Sequence, residues 1–330
     1  MRVLVIGGSG LMGGATVRQL LEAGHRVTSL SRGGQLTLTG GHPRMPLPDG
    51  LPTLLCDRAV EGAKLRQILA EGKFEAIVDY FAMVPQHIED VIVGADRGAL
   101  KHYIFVSTNM VYPGGPGGFD ISPLRPTVPE NCADVAGASS APEDYGGLKL
   151  KCEAALRRAF DEDGFPYTTI RPPSVIGPCC DQRHELLQRV AMGLPVPETR
   201  ERPSVSNPAD GFRLAYSEDV ASMCVRVLGT GSGVVGEEFN VACEESLTLE
   251  QYVVAIRDNA PEDVAASWPS HEAAAAALAT HGAKLRSYEA QSCLDIRKAQ
   301  RVLGWQPTPF ADVLSATVAW HIPLLQGSAL

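Results

Sequence analysis

The chain has 330 residues, 45% of them hydrophobic and 20% charged, which is ordinary for a soluble globular protein and enough for one large α/β unit or a core with a smaller lobe. A formal net charge of −9 argues against a general electrostatic affinity for nucleic acid or an anionic membrane, so nucleic acid is an unfavoured partner. No apolar run reaches membrane-spanning length, and with a first strand expected from Val3 no signal peptide is expected; the eight cysteines contain no C-x-x-C pair. A cytoplasmic protein with reduced thiols is expected. The eight histidines form no H-x-x-x-H pattern, so no metal is expected.

Val3-Leu4-Val5-Ile6 is a continuous apolar run of strand length, suited to a central parallel strand buried on both faces. The turn Gly7-Gly8-Ser9-Gly10-Leu11-Met12-Gly13 follows, and Ala15, Val17, Leu20 and Leu21 then recur at helical spacing until Gly24. Glycines in such a turn let a pyrophosphate approach the N–H groups of the helix start, where the helix dipole favours negative charge. Gly7, Gly10, Leu11, Met12 and Gly13 are therefore candidate ligands of a dinucleotide. A second strand over 26–30 ends in Ser31-Arg32, where an acidic residue would hold the adenosine ribose. A hydroxyl and a guanidinium suit a 2′-phosphate instead, so NADP(H) is the preferred coenzyme and NAD(H) a possible one.

Residues 33–52 read as a loop, and a third strand over 53–56 ends in Asp57-Arg58, where a carboxylate is placed to receive the adenine amino group. An amphipathic helix over 64–71 precedes a fourth strand over 76–82, whose small Ala82 leaves space beside the coenzyme. A helix over 87–100 and a strand over 103–106 continue the alternation. The repeat predicts an α/β fold with a doubly wound parallel sheet and ligands at the carboxyl ends of its strands. The fifth strand runs into Ser107-Thr108-Asn109-Met110-Val111-Tyr112, and residues 113–142, rich in Gly, Pro, Ser and Ala, read as a flexible flap near the site. A helix opens at Asp144 and runs to about 161; a sixth strand over 167–170 ends in Arg171-Pro172-Pro173-Ser174-Val175. Beyond it the alternation stops. A helix near 185–192, a Pro/Arg-rich stretch over 193–208, a helix over 218–228, a strand over 238–241 and an alanine-rich helix over 272–280 follow.

Tyr145 and Lys149 stand four apart on the predicted helix, on one face and within reach of a common ligand. An adjacent ammonium favours the phenolate, which makes Tyr145 a plausible acid/base at neutral pH. Thr108, at a strand end, is placed to hold a substrate oxygen while Tyr145 exchanges its proton.

Taken together, these motifs resemble those of an extended short-chain dehydrogenase/reductase of the NAD-dependent epimerase/dehydratase superfamily. Gly7-x-x-Gly10-x-x-Gly13 matches its coenzyme turn, Val106-Ser107-Thr108 through Tyr112 its strand bearing the catalytic Ser/Thr, and Tyr145-x-x-x-Lys149 its acid/base pair. Arg171-Pro172-Pro173 through Gly177-Pro178 resembles its segment passing the nicotinamide, which implies contacts from Pro172, Ser174 and Val175. Tyr216-Ser217-Glu218-Asp219-Val220-Ala221 and Leu294-Asp295-Ile296-Arg297-Lys298-Ala299 with Leu303-Gly304-Trp305-Gln306-Pro307 resemble its later signatures. The resemblance implies a Rossmann core over 1–175 and about 213–243, and a smaller C-terminal substrate lobe over 176–212 and 244–330. It also implies a homodimer through helices at 87–100 and 145–161.

Departures narrow the function. Sugar dehydratases of the family carry an Asp-Glu pair where Asn109 and Met110 stand, so dehydration is disfavoured. The arginine that often clamps a nucleotide diphosphate is replaced by Phe212, with Arg213 one step later. The expected function is NADP(H)-dependent hydride transfer at a hydroxyl or carbonyl of a small polar metabolite or sugar. The alternatives are a sugar epimerase that retains NAD and an RNA-binding or regulatory protein on the same fold, since Arg32-Gly33 and the stretch after the fourth strand also resemble a subgroup containing chloroplast stem-loop RNA-binding proteins.

Overall fold

Apolar strand runs alternate with amphipathic helices from the first residues onward. β1 (Arg2–Ile6) leads to α1 (Leu11–Glu22), β2 (Arg26–Ser31), β3 (Thr53–Leu55), α2 (Gly62–Gly72), β4 (Ala76–Asp79), α3 (Pro85–Gly94) and β5 (His102–Val106). After a 3-10 turn at Asn109–Val111 come α4 (Tyr145–Asp163), β6 (Tyr167–Arg171), β7 (Val175–Ile176), β8 (Ala215–Tyr216), α5 (Ser217–Thr230) and β9 (Glu237–Asn240). The helices α6 (Leu249–Asp258), α7 (Arg297–Leu303) and α8 (Phe310–Gly327) complete the described elements. The structure, a computed structural model, describes residues 1–33, 47–112, 128–180, 213–247, 249–260 and 294–327, with isolated positions between 189 and 270. Most of the sequence-predicted helix near 185–192, of the stretch over 193–208 and of the loop over 33–52, and the predicted helix over 272–280, lie outside the described residues; 189, 191 and 192 are helical.

Seven strands form one sheet in the order β3-β2-β1-β4-β5-β6-β9, every pair parallel. Successive residues of a strand point to opposite faces, so β1 feeds two cores at once. Val3 and Val5 pack under α1 and α5 with Val17, Leu20, Val220 and Met223, whereas Leu4 and Ile6 pack under α2, α3 and α4 with Leu65, Ile88, Val91 and Leu156. Burial on both faces is what the unbroken apolar runs required. The strand order reverses between β1 and β4, and a crevice opens there beyond the carboxyl ends. A separate cluster joins Ile176, Leu214, Tyr252, Phe310 and Val313 beside the short β7-β8 pair.

Three differences from the sequence reading exceed a residue or two, each for a local reason. The fourth strand stops at Asp79 instead of Ala82, because Asp79 Oδ1 accepts the Phe81 N–H at 2.9 Å and turns the chain out of the sheet. The third helix ends at Gly94, which lies so close to α2 that a Cβ there would stand 2.6 Å from Arg66 Cα. Within the expected flap, residues 113–127 lie outside the described residues, but 128–141 is fastened down. Glu130 is buried there, and Val128 bridges Leu294 in parallel.

The fastening centres on Arg171, at the end of β6. Its guanidinium binds both oxygens of Glu153 on α4, at 3.1 and 2.5 Å, and donates to Tyr112 Oη at 3.0 Å and the Glu130 carbonyl at 2.8 Å. Tyr112 Oη in turn donates to Asn240 Oδ1 at 2.6 Å, and Asn240 donates from its amide to the carbonyls of Val128 and Asp295. The members of this cage come from widely separated parts of the chain. Residues 294–305, grouped with the lobe in the sequence division, pack into the core cluster of α5 and β9: Leu294, Ile296, Ala299 and Trp305 are buried in it. Trp305 Nε1 donates to Ser222 Oγ at 3.0 Å, and Asp219 accepts both the N–H and the hydroxyl of Thr308.

Replacing Arg171 with leucine strands the buried Glu153 carboxylate without its cation. A loss of about 3–5 kcal/mol is expected, read as a lower urea midpoint with an unchanged slope.

Candidate active site

The glycine turn between β1 and α1 supplies the first wall. Gly7 adopts φ +87°, and a Cβ on Gly13 would stand 2.1 Å from the Gly7 carbonyl oxygen, so the turn closes only with glycine at both positions. Gly10 is the N-cap of α1 and brings no side chain to cap it. The N–H groups of Leu11, Met12 and Gly13 in the first helical turn therefore have no helical acceptor, which is the donor set a helix start offers to an anion. This is the feature that fits a dinucleotide pyrophosphate.

Beside the turn lies a cleft of ≈ 290 Å³ at the ends of β1, β2, β3 and β4. Ser31 and Arg32 line it, as do Asp57 and Arg58. Asp57 holds its own loop through Oδ1, which accepts the Ala59 N–H at 3.1 Å, while Glu61 accepts the Asp57 N–H at 2.7 Å. The Arg58 guanidinium is already engaged: Nη1 binds both oxygens of Asp79 at 2.8 and 2.6 Å, and Nη2 donates to the His87 carbonyl at 2.6 Å. Arg58 thus forms a neutralised wall of the cleft and not a spare cation. Burial alone would raise the Asp79 carboxyl, but Arg58, with hydrogen bonds from the Phe81 N–H and Tyr103 Oη, holds it below the ordinary carboxylate range.

Asp79, Phe81, Met83 and His87 were not singled out in the sequence, yet Asp79 braces the cleft and the other three line it. One signal was legible. A lone acid closing the apolar run Ala76-Ile77-Val78 is buried in any parallel sheet, and a buried charge requires a partner.

The catalytic candidates gather further along the same edge. Thr108 follows β5; its Oγ1 accepts the Met110 N–H at 3.3 Å and donates to Asn109 Oδ1 at 3.4 Å. The Asn109 N–H donates to the Pro172 carbonyl at 2.8 Å, which ties the Thr108 turn to the Pro172–Val175 segment. Ser174 accepts the Ala215 N–H through its carbonyl, and Val175 pairs with Ala215 in the small sheet. Opposite, α4 begins at Tyr145, capped by Asp144, whose Oδ1 accepts the Gly147 N–H at 2.8 Å. A Cβ on Gly146 would stand 2.2 Å from the Met110 carbonyl oxygen, so glycine there lets the first turn of α4 close against the Thr108 turn.

Tyr145 is 44% exposed, whereas Lys149, one turn on, is 1% exposed. Lys149 Nζ donates to the Ala82 carbonyl at 2.9 Å and the Val106 carbonyl at 2.8 Å, and stands 4.4 Å from the Phe105 ring centroid. Burial pulls its pKa down to about 8. Ala82 is buried and takes part through this carbonyl, while its neighbours Phe81 and Met83 line the cleft. Thr108, Tyr145 and Lys149 thus share the carboxyl edge of β4 and β5.

The sequence model of the NAD dependent epimerase/dehydratase family matches residues 3–242. Among curated proteins, the Chloroplast stem-loop binding protein of 41 kDa b of Arabidopsis thaliana is 24% identical over 322 residues, covering 93% of this chain and 75% of its own. A UDP-glucose 4-epimerase of Lacticaseibacillus casei is 27% identical over 198 residues, 54% of this chain and 52% of its own, so the match spans about half of that enzyme. Among solved structures, UDP-glucuronic acid 4-epimerase from Bacillus cereus in complex with NAD superposes with TM-score 0.71 at 18% identity, covering 100% of this chain and 99% of that one. A Thermus thermophilus UDP-glucose 4-epimerase complex with NAD gives TM-score 0.69 at 20% identity, with both chains covered in full (100%). These superpositions establish the fold: a Rossmann-type parallel sheet with flanking helices.

Asp79 titrates below its unfolded value near 3.8, so it binds fewer protons folded than unfolded as pH falls through that region. Its contribution to stability is present above about pH 4 and is lost below it. Asp79→Asn is expected to cost about 3–5 kcal/mol at neutral pH and to flatten the acid limb of a stability-versus-pH curve measured by chemical denaturation.

Proposed function

The chain belongs to the NAD dependent epimerase/dehydratase family of NAD(P)-dependent enzymes, and from that premise we propose that it transfers a hydride at a hydroxyl- or carbonyl-bearing carbon of a small polar metabolite or sugar, with NADP(H) preferred. The observation that carries this reading is the convergence of Thr108, Tyr145 and Lys149 on one sheet edge, beside a cleft lined by Ser31 and Arg32. When bound, the coenzyme supplies the hydride acceptor or donor. The protein's part is binding, orientation and proton transfer. The first-turn N–H groups of α1 would hold the pyrophosphate, Asp57 would receive the adenine amino group, and Ser31 with Arg32 would hold a 2′-phosphate. Ala82, Pro172, Ser174 and Val175 would serve the nicotinamide half.

Tyr145 is the acid/base. In oxidation its phenolate takes the substrate hydroxyl proton; in reduction its phenol returns one to the carbonyl oxygen. Two features favour the phenolate: the Lys149 ammonium one turn away and the positive end of the α4 dipole, since Tyr145 is the first residue of a 19-residue helix. The Thr108 hydroxyl orients the substrate oxygen, with the turn after it fixed by Pro172.

A second reading, a sugar epimerase that retains NAD throughout its cycle, is supported by the UDP-glucose 4-epimerases among the relatives. The two part on one measurement. Purified protein is extracted to identify any bound nucleotide, then titrated with NADPH and NADH. Empty protein that prefers NADPH supports the first reading; stoichiometric, non-exchanging NAD supports the second. If neither nucleotide binds, both fall, and a salt-dependent gel shift with structured RNA becomes the next experiment.

For the first reading, Arg32→Ala is expected to weaken NADPH about 10- to 100-fold while leaving NADH nearly unchanged, measured by fluorescence titration. Tyr145→Phe is expected to lower kcat by at least about 100-fold with coenzyme affinity retained. Because Lys149 loses its proton near pH 8 in the coenzyme-free protein, kcat/KM is expected to decline above about pH 8.

A further inference from the structure

Two large apolar side chains stand open in the coenzyme cleft, where the proposed chemistry gives them no task. Phe81 is 41% exposed and Met83 36%, and both line the cleft that also holds Ser31, Arg32 and Asp57. Apolar groups left open in a concave cleft, beside a few polar ones, are the usual lining of a ligand site. The loop that carries them is fixed at several points. The Phe81 N–H donates to Asp79 Oδ1 at 2.9 Å, the Met83 N–H donates to His87 Nδ1 at 3.2 Å, and the His87 ring is also hydrogen-bonded to the Phe81 backbone. Arg58 closes the brace by binding both oxygens of Asp79 and the His87 carbonyl. The Phe81 ring is supported in turn: a Cβ on Gly7 would stand 2.5 Å from Phe81 Cδ2, so the edge of the ring lies on the glycine turn itself. A buried ion pair and a histidine are thus devoted to one short loop.

Position in the cleft decides which part of a dinucleotide meets this loop. Lys149 with Thr108 marks the reacting end beside β5. The sheet order puts β2 and β3 on the opposite side of β1 from β5, and the cleft takes in the exits of β2 and β3, which makes it the adenosine side. Asp57 serves the edge of an adenine there, through its amino group, and not its faces. A purine is flat and presents a π-face, which an aromatic side chain covers whatever the pattern of donors and acceptors around the rim. We propose that Phe81, with Met83 beside it, is the platform on which the adenine ring of the bound dinucleotide stacks, and that the network of Arg58, Asp79 and His87 is the brace that keeps the platform in place. The assignment rests on the coenzyme reading above.

The test is a titration of wild type, Phe81→Ala and Phe81→Tyr with ADP-ribose and, separately, with reduced nicotinamide mononucleotide, which lacks adenosine. Thermal midpoints are recorded for all three proteins, and the ring-carbon protons of the adenine are followed by NMR as ADP-ribose binds. In wild type these protons are expected to move upfield under the ring current of Phe81, a signature that a merely structural side chain does not produce. Phe81→Ala is expected to bind ADP-ribose about tenfold more weakly, to lose the upfield shift and to bind the mononucleotide unchanged. Tyrosine, which keeps the aromatic face, is expected to restore ADP-ribose binding to within about twofold. Equal or tighter ADP-ribose binding by Phe81→Ala overturns the proposal, and so does a tyrosine variant as weak as alanine. Wild-type protein whose bound adenine shows no upfield shift overturns it as well, with no variant required to fold. Wild-type protein that binds neither ADP-ribose nor either dinucleotide overturns the coenzyme reading itself, a result distinct from the others.

Discussion

A positive charge buried between two strand ends is the constraint around which the candidate site is built. Lys149 cannot reach bulk water, and its ammonium is satisfied by the carbonyls of Ala82 and Val106. Those two carbonyls belong to the exits of β4 and β5, so the lysine fixes the spacing of the two loops beside the candidate catalytic residues. It also brings the first turn of α4, and with it Tyr145, to that edge. Burial that makes the ammonium costly in the absence of a ligand makes it a strong influence on any oxyanion formed nearby, because the same low dielectric acts on both.

Arg58 and Arg171 meet the same difficulty in another way. Each is paired with a carboxylate from a distant part of the chain, Asp79 and Glu153 respectively, and each donates a further bond to a main-chain carbonyl. Such pairs contribute little net stability compared with well-packed apolar groups, but they allow few alternative arrangements. In this protein both stand at strand exits, where loops would otherwise be free to choose their course. Arg58 ties the β3 exit to the β4 exit and α3; Arg171 ties the β6 exit to α4, to Tyr112 and to the segment at Glu130.

The sequence was most legible where local structure is set by neighbouring residues. The glycine turn, the Tyr145 and Lys149 pair and the alternating strands and helices all rest on spacings of a few positions, and local stereochemistry reads them directly. Legibility failed where a partner is remote. Nothing near Arg58 announces its pairing with Asp79, which only the folded chain brings within reach. The stretch over 128–141, poor in periodicity and rich in small residues, read as flexible; its order comes from Asn240, Arg171 and Leu294, far away in the chain. Likewise, the end of α3 at Gly94 is set by the approach of α2, a packing fact that no helix propensity encodes.

The return of residues 294–305 to the core bears on how the protein can be divided. Leu294 pairs with Val128, Trp305 fills the space beside Ser222, and Thr308 supplies both of its donors to Asp219 near the start of α5. A nucleotide-binding half cut off after β9 would lose a large tryptophan from its interior and leave a buried aspartate without donors. Residues 294–308 accordingly belong to the same packed core as α5 and β9, and are not appended to it. A chain cut anywhere between β9 and Leu294 would therefore have to keep the two sides together for the core to close.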